Sequence, residues 1–195
     1  MESTSALVEH LTTRQHQLVD ELVDLFLAEG FSHLTLDDLA ARLGCSKRTL
    51  YALADSKEQL AVRTVRSYFR RSADQVETAI ARTRSPATRL TRYLEAVAEA
   101  LRPAGPQFRR DLARTASTRE VYEQNTVAAA ARVRQLIDEG IRAGAFRNVS
   151  AVFVGEVVTA TMRRITSGEI GRATELDDAQ AYAELARLVV AALRR

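Results

Sequence analysis

From Thr13 onward the apolar residues Leu18, Val19, Leu22, Val23, Leu25 and Phe26 recur at the three-and-four spacing of one helix face. The pattern stops at Gly30, a residue suited to the left-handed position just past a helix, with Phe31 placed to fold back onto the last turn. Thr35 then reads as an N-cap, and Asp38 three residues on completes a capping-box pair. Leu36, Leu39, Ala40 and Leu43 share one side of the short helix that follows, and Gly44 ends it. Ser46 opens a third short helix, roughly to Ala52, and Ser56 with Gln59 forms a further capping box before a long helix running to about Thr83. Ser85-Pro86 separates this from a helix over about Ala87 to Leu101, closed by Pro103-Ala104-Gly105-Pro106. A short helix near Phe108 to Arg114 follows. Ser117 and Glu120 read as another capping box, opening a long helix that ends near Gly144. Helices over about Ser150 to Ser167 and Asp177 to Arg194 close the chain, separated by a Gly168 to Gly171 linker. Residues 1–12 read as a loose polar arm, to which Leu7, Val8 and Leu11 could add a turn.

About nine helices and no strand pattern make an all-α chain, and the predominance of Ala, Leu, Arg and Glu agrees. The helices are short before Ser56 and long after it. That contrast predicts an N-terminal three-helix unit over residues 1–58, with a helix-turn-helix at about 35–54, joined to a helical bundle over 59–195. With 46% apolar and 27% charged residues, 195 residues suffice for one or two small domains with a real core. No run of eighteen apolar residues occurs, so no membrane partner is expected; nor does any apolar stretch follow a basic start as in a signal peptide. The single cysteine, Cys45, fits a reducing compartment, and a cytoplasmic location is expected. The net charge of +3 is modest, but residues 1–60 hold five cations against ten acids, and three of the five lie between Lys47 and Lys57. Such focusing suits a nucleic-acid surface and equally an ordinary solvated face.

The densest chemistry is LGCSKRTLY, residues 43–51. Two short helices joined by a tight glycine turn make a helix-turn-helix, whose second helix offers its N-terminal residues to the major groove. Ser46, Lys47, Arg48 and Thr49 crowd that first turn, where backbone N–H groups and the helix dipole also favour an anion. Arg48 can read guanine through its bidentate fork, whereas Lys47 offers a point charge. Leu50 is placed to bury against Leu39 and Leu43, and Tyr51 brings a ring to pack and a hydroxyl to reach a phosphate.

From about Thr13 to Leu60 the chain resembles the TetR family of helical transcriptional regulators, through TRQHQLVDELVDLFLAEGF, TLDDLAARLGCSKRTLY and SKEQL. The resemblance implies a homodimer on a pseudo-palindromic double-stranded DNA operator, released by a small-molecule effector held in the C-terminal helices. It further implies phosphate contacts from Thr35, Tyr51 and Lys57, and base-reading and backbone-gripping roles for Ser46, Lys47, Arg48 and Thr49. Ala52-Leu53-Ala54 departs from the family, which places an aromatic or His before a Phe there; one phosphate contact and one core ring are thereby lost, which implies either weaker non-specific DNA affinity or compensation from elsewhere, with Arg63 and Arg66 as candidates. Over the remainder, EGIRAGAF and the two closing helices look like the family scaffold only loosely.

In that C-terminal part, Tyr93, Phe108, Tyr122, Phe153 and Met162 either line a ligand cavity or are simply core. Two helices present broad apolar faces, one with Val154, Val157, Val158, Thr161 and Ile165, the other with Leu185, Leu188, Val189, Ala192 and Leu193. They either close a four-helix dimer interface or bury against their own domain. No phosphate loop, nucleophile elbow, catalytic triad or metal constellation is present, so no catalytic residue, metal or cofactor is expected. His10, His16 and His33 lack ligand spacing, and Cys45 reads as packing. Neighbouring acids such as Asp37-Asp38 and Asp177-Asp178 suit helix starts better than acid–base work. Two other readings remain: a DNA-bound assembly protein without ligand response, and a small-molecule-binding or enzymatic bundle with a vestigial helix-turn-helix.

Overall fold

The computed structural model describes residues 12–194. All but one residue of the expected arm, with Leu7, Val8, His10 and Leu11, lies outside that range. Thr12 is the exception, and it is fixed rather than loose: its side chain caps the first helix in a capping box with Gln15.

Ten helices make up the described residues: α1 (Thr13–Glu29), α2 (Leu36–Arg42), α3 (Lys47–Tyr51), α4 (Lys57–Ile80), α5 (Pro86–Leu101), α6 (Pro106–Arg114), α7 (Ala116–Arg142), α8 (Ala151–Thr166), α9 (Glu169–Thr174) and α10 (Asp178–Leu193). The helix beyond the expected nine is α9, a short element within the glycine linker, entered through Gly168 at φ +72° and left through Glu175 at φ +61°. The cap at the start of α7 also differs from expectation. That helix begins at Ala116 with no side-chain cap, and the Ser117 hydroxyl instead donates to Glu58 Oε1 at 2.7 Å. At α4, Ser56 does accept from the Gln59 amide, but the Gln59 side chain accepts from Asp55 N–H rather than from the cap residue.

Two apolar clusters organise the chain. The first gathers Leu18, Leu22 and Phe26 of α1 with Leu39, Leu50, Leu53 and Leu60, and extends through Val65, Tyr68 and Phe69 of α4 to Phe108, Leu112 and Val121. The second joins α5, the later parts of α4 and α7, α8 and α10 through Ile80, Leu90, Leu136, Ile137, Val158 and Leu193. Each fully buried aliphatic or aromatic side chain contributes about 1.5–3 kcal/mol. Packing therefore continues across position 58: α4 runs through both clusters, and α6 and the start of α7 share the core of the N-terminal unit.

The turn after α1 is built as its residues require. Gly30 donates to the Phe26 carbonyl at φ +81°, and Phe31 folds back to stack on Phe26 with ring centroids 4.9 Å apart. A Cβ at position 30 would fall on Gln107 Cγ and within 2.6 Å of Asp111 Oδ2. Gly30→Ala therefore combines a strained backbone with a clash against α6, and should destabilise the fold by about 1–3 kcal/mol in urea unfolding.

Candidate nucleic-acid interface and C-terminal cavity

The α2–turn–α3 unit is closed by Cys45 N–H donating to the Ala40 carbonyl at 2.9 Å, with Gly44 left-handed at φ +57°. Thr35 caps α2 in the expected box with Asp38: its hydroxyl donates to Asp38 Oδ2 at 2.7 Å, and its amide to the same oxygen at 2.8 Å. Hydrogen bonds from the Thr35 side chain and backbone hold the Asp38 carboxyl below its ordinary value. Ser46 caps α3 by accepting from Thr49 N–H at 3.1 Å. Leu50 is buried against Leu39, and Leu43 packs partly buried beside it. Within Ala52-Leu53-Ala54, Leu53 enters the core and Ala54 only borders it. Cys45 is half-buried in free thiol form, and burial pushes its pKa up, which agrees with packing.

The cations of this face differ in their commitments. Lys47 Nζ lies 2.7 Å from Asp37 Oδ2 of α2, and that hydrogen bond raises the ammonium's pKa. Lys57, half-buried, donates from Nζ to the Ser32 carbonyl at 2.8 Å and so ties the start of α4 to the α1–α2 turn. Arg42 pairs with Glu29, and Arg14 with Glu21 at 3.6 Å. Arg48 is exposed, with no side-chain hydrogen bond or ion pair among the described residues. Tyr51 is 51% exposed beside it. Of the two substitutes for the lost phosphate contact, Arg66 is exposed on α4 and Arg63 is half-buried.

A residue that sequence reasoning missed joins this unit to the rest of the chain. Asp111 of α6 is fully buried, and its Oδ2 accepts from Phe31 N–H at 2.6 Å and Ser32 N–H at 2.9 Å, while Oδ1 accepts from Gln107 Nε2 at 2.8 Å. Burial pushes the carboxyl pKa up, but the donors from Ser32, Phe31 and Gln107 outweigh it and hold the value below 3.8. Gly105 N–H donates to the Leu27 carbonyl at 2.9 Å, so α6 is pinned to the end of α1 at a second point. The signal lay in the spacing: an acid three residues after Phe108 and next to Leu112 falls on the apolar face of its helix.

The adjoining side of α6 borders a cavity of about 500 Å³ between α4, α5, α6, α7, α8 and α10, with Phe108, Arg109 and Leu112 in its wall. A second cavity of about 200 Å³ adjoins it, sharing Phe69, Tyr122 and Tyr182. The structure places Phe108 in the first, Tyr93 and Met162 in the second, and Tyr122 in both. Phe153 lies elsewhere: it is 68% exposed on the outer side of α8. The phenols of Tyr68 and Tyr93 are pushed up to about 12 by burial, so both remain neutral donors; Tyr68 donates to the Ala100 carbonyl at 2.8 Å.

The closing helices divide by face. Val158, Ile165, Leu185 and Val189, expected at a subunit interface, are buried in the chain's own second cluster, because α8 packs on α7, α10 packs on α5, and the two pack on each other. Val154 and Thr161 are half-buried, and Ala192 is exposed. The apolar surface left outside comprises Val152, Phe153 and Val157 on α8 and Leu188 on α10. Among the described residues, no group of three or more His, Cys, Asp or Glu is placed to hold a metal, and no helix is long and apolar enough to cross a membrane.

Residues 18–64, the span from Leu18 of α1 to Thr64 of α4, match the family model of bacterial regulatory proteins, tetR family. A sequence search of curated proteins returns no match. Among solved structures, a transcriptional regulator from Cytophaga hutchinsonii superposes with a TM-score of 0.76 at 14% identity, over 94% of this chain and 100% of that one. A TetR transcription regulator from Haloarcula marismortui gives 0.72 at 19% identity, over 93% and 98%. A transcriptional regulator from Saccharomonospora viridis, solved with choline, gives 0.73 at 14% identity, over 93% and 98%. The whole chain thus has the fold of these regulators, with a helix-turn-helix at its N-terminus inside the segment that matches the family model.

Asp111 holds the α1–α2 turn most strongly while it is ionised. Asp111→Asn should cost about 1–3 kcal/mol at pH 7, the worth of charged hydrogen bonds to buried amides. Because the folded carboxyl pKa lies below 3.8, the parent's advantage is complete above that value and is lost as pH falls through the lower folded one. Urea unfolding of both proteins from pH 7 downward should show a constant difference above pH 3.8 that begins to shrink only below it.

Proposed function

We propose that this protein is a homodimeric transcriptional repressor that grips a pseudo-palindromic operator through two copies of α3 and is released when a small molecule fills the C-terminal cavity. The observation that carries the reading is Arg48, exposed and without a side-chain partner among the described residues, on the second helix of a helix-turn-helix within a segment that matches the TetR family model. A planar fork free of internal partners suits bidentate recognition of guanine in the major groove. Ser46, Lys47, Thr49 and Tyr51 supply backbone and neighbouring base contacts. Thr35 and Lys57 flank them as phosphate contacts whose own bonds already fix the turn.

Val152, Phe153, Val157 and Leu188, all exposed, suit the dimer contact, since a second copy presenting the same face would cover them. Release follows from the two-sided role of α6. The helix meets the cavity with Phe108 and Leu112 and the α1–α2 turn with Asp111, so an effector that prefers a shifted α6 favours a dimer with displaced recognition helices. Coupling of this kind is typically about 1–3 kcal/mol, or roughly 5–150-fold in operator affinity. Repression follows from occupancy, because a dimer seated on a promoter blocks polymerase.

Selection of bound duplexes from a random pool, followed by titration against salt, tests this reading. A palindromic consensus is expected, and failure of any sequence to enrich would overturn it. On that consensus, Arg48→Ala should cost about 1–3 kcal/mol and relax preference at one base position. Asp37→Asn should do the reverse for non-specific duplex: with Lys47 freed from its carboxylate, affinity rises and the salt dependence steepens. For the dimer, Phe153→Glu with Leu188→Glu should give monomers by analytical ultracentrifugation while leaving the helical content unchanged.

A further inference from the structure

Three arginines border the larger cavity, and the fold neutralises one of them. Arg109 Nε lies 3.2 Å from Asp178 Oδ2, an ion pair that joins α6 to the start of α10. Arg119 and Arg163 make no ion pair among the described residues; Arg119 reaches only the Ala113 carbonyl, at 3.4 Å from Nη1. Glu123, one helical turn beyond Arg119, is the other acid of the wall, and it too is unpaired among the described residues. Gly155 lies against Arg134, so α8 runs back along α7 and carries Arg163 toward the end of α7 that holds Arg119. The cavity therefore has three guanidinium groups against two carboxylates, one of them already engaged.

The interior is apolar. Tyr68 meets Phe69 at a centroid distance of 4.9 Å and Phe108 edge-on at 5.6 Å, and Phe69 meets Tyr122 at 5.5 Å. The rings pack on one another as a belt, and the Tyr68 hydroxyl is spent on the Ala100 carbonyl. That belt offers an apolar surface rather than a ring of open faces around a cation.

We infer that the cavity takes an amphipathic organic anion, its apolar or aromatic body against the Tyr68–Phe69–Tyr122 belt and its carboxylate on Arg119 and Arg163. This rests on the proposal above that the cavity is the effector site. Guanidinium groups bind carboxylates through paired, charge-assisted hydrogen bonds that an alcohol cannot match. An anion near Arg109 also competes with Asp178 for it and loosens α6 from α10, giving the ligand a stake in the position of the helix that carries Asp111.

Calorimetric titration of the full chain with decanoate, decan-1-ol and decyltrimethylammonium separates charge from apolar fit, and 1-naphthaleneacetate extends the test to an aromatic body. Decanoate should bind one site per protomer about tenfold more tightly than decanol, with the cation weakest. In the Arg119→Gln, Arg163→Gln double variant that advantage should fall to near parity while decanol affinity stays unchanged, which also shows that the variant keeps its cavity. Decanol or the cation binding as well as decanoate overturns the ligand class and leaves the effector cavity standing. Binding of none of the four overturns both.

Discussion

One carboxylate fixes how the two halves of this chain meet. Asp111 is buried on α6, and it accepts the amide hydrogens of Phe31 and Ser32 in the turn that leads from α1 into the helix-turn-helix. Those amides follow a helix end and have no helical acceptor, so without Asp111 a buried donor at Phe31 and a half-buried one at Ser32 would lose their partner. Gly30 is required for the same reason: only a residue without a Cβ lets Gln107 and Asp111 approach so closely. From Ser32 the connection continues through its carbonyl to Lys57 and the first turn of α4. A single buried anion thus organises the end of α1, the approach to α2 and the start of α4.

The cations of the N-terminal unit show how, in the proposed regulator, an acidic segment presents a surface to DNA. Arg14, Arg42 and Lys47 each pair with a carboxylate, and Lys57 with a backbone carbonyl, which leaves Arg48 uncommitted among the described residues. In the proposed regulator, a phosphate that takes Lys47 must displace Asp37. Generic duplex then gains little, while a base that matches Arg48 gains fully. The balance lowers non-specific affinity relative to specific affinity, and that ratio governs operator search.

Most of the helices were legible because their signals are local. Thr35 with Asp38, Ser46 with Thr49 and Gly30 with Phe31 act within four residues of each other, and the structure shows each pair doing what its spacing implies. Features decided by distant partners were not legible. Asp111 lies eighty residues from Phe31, and Ser117 satisfies Glu58 across fifty-nine residues rather than capping its own helix. The closing helices posed a different difficulty. In α8 apolar residues cover more than one face, so periodicity identifies a buried stripe without saying which stripe meets the chain's own core and which stays outside. Val158 proved to face inward and Phe153 outward. The cavity could not be read as a shape from sequence: Phe108 and Tyr122 border it and also belong to or pack on the first apolar cluster, the two alternatives that spacing left open.

The claim that α6 links the cavity to the DNA-binding unit is tested most directly at the two amides it holds. Hydrogen exchange at Phe31 and Ser32 reports on the Asp111 contact without perturbing it. If the account holds, operator binding slows exchange at both amides, and a ligand that releases operator speeds it at the same two positions. Release of DNA with exchange at Phe31 and Ser32 unchanged would contradict the account and place the coupling on another path.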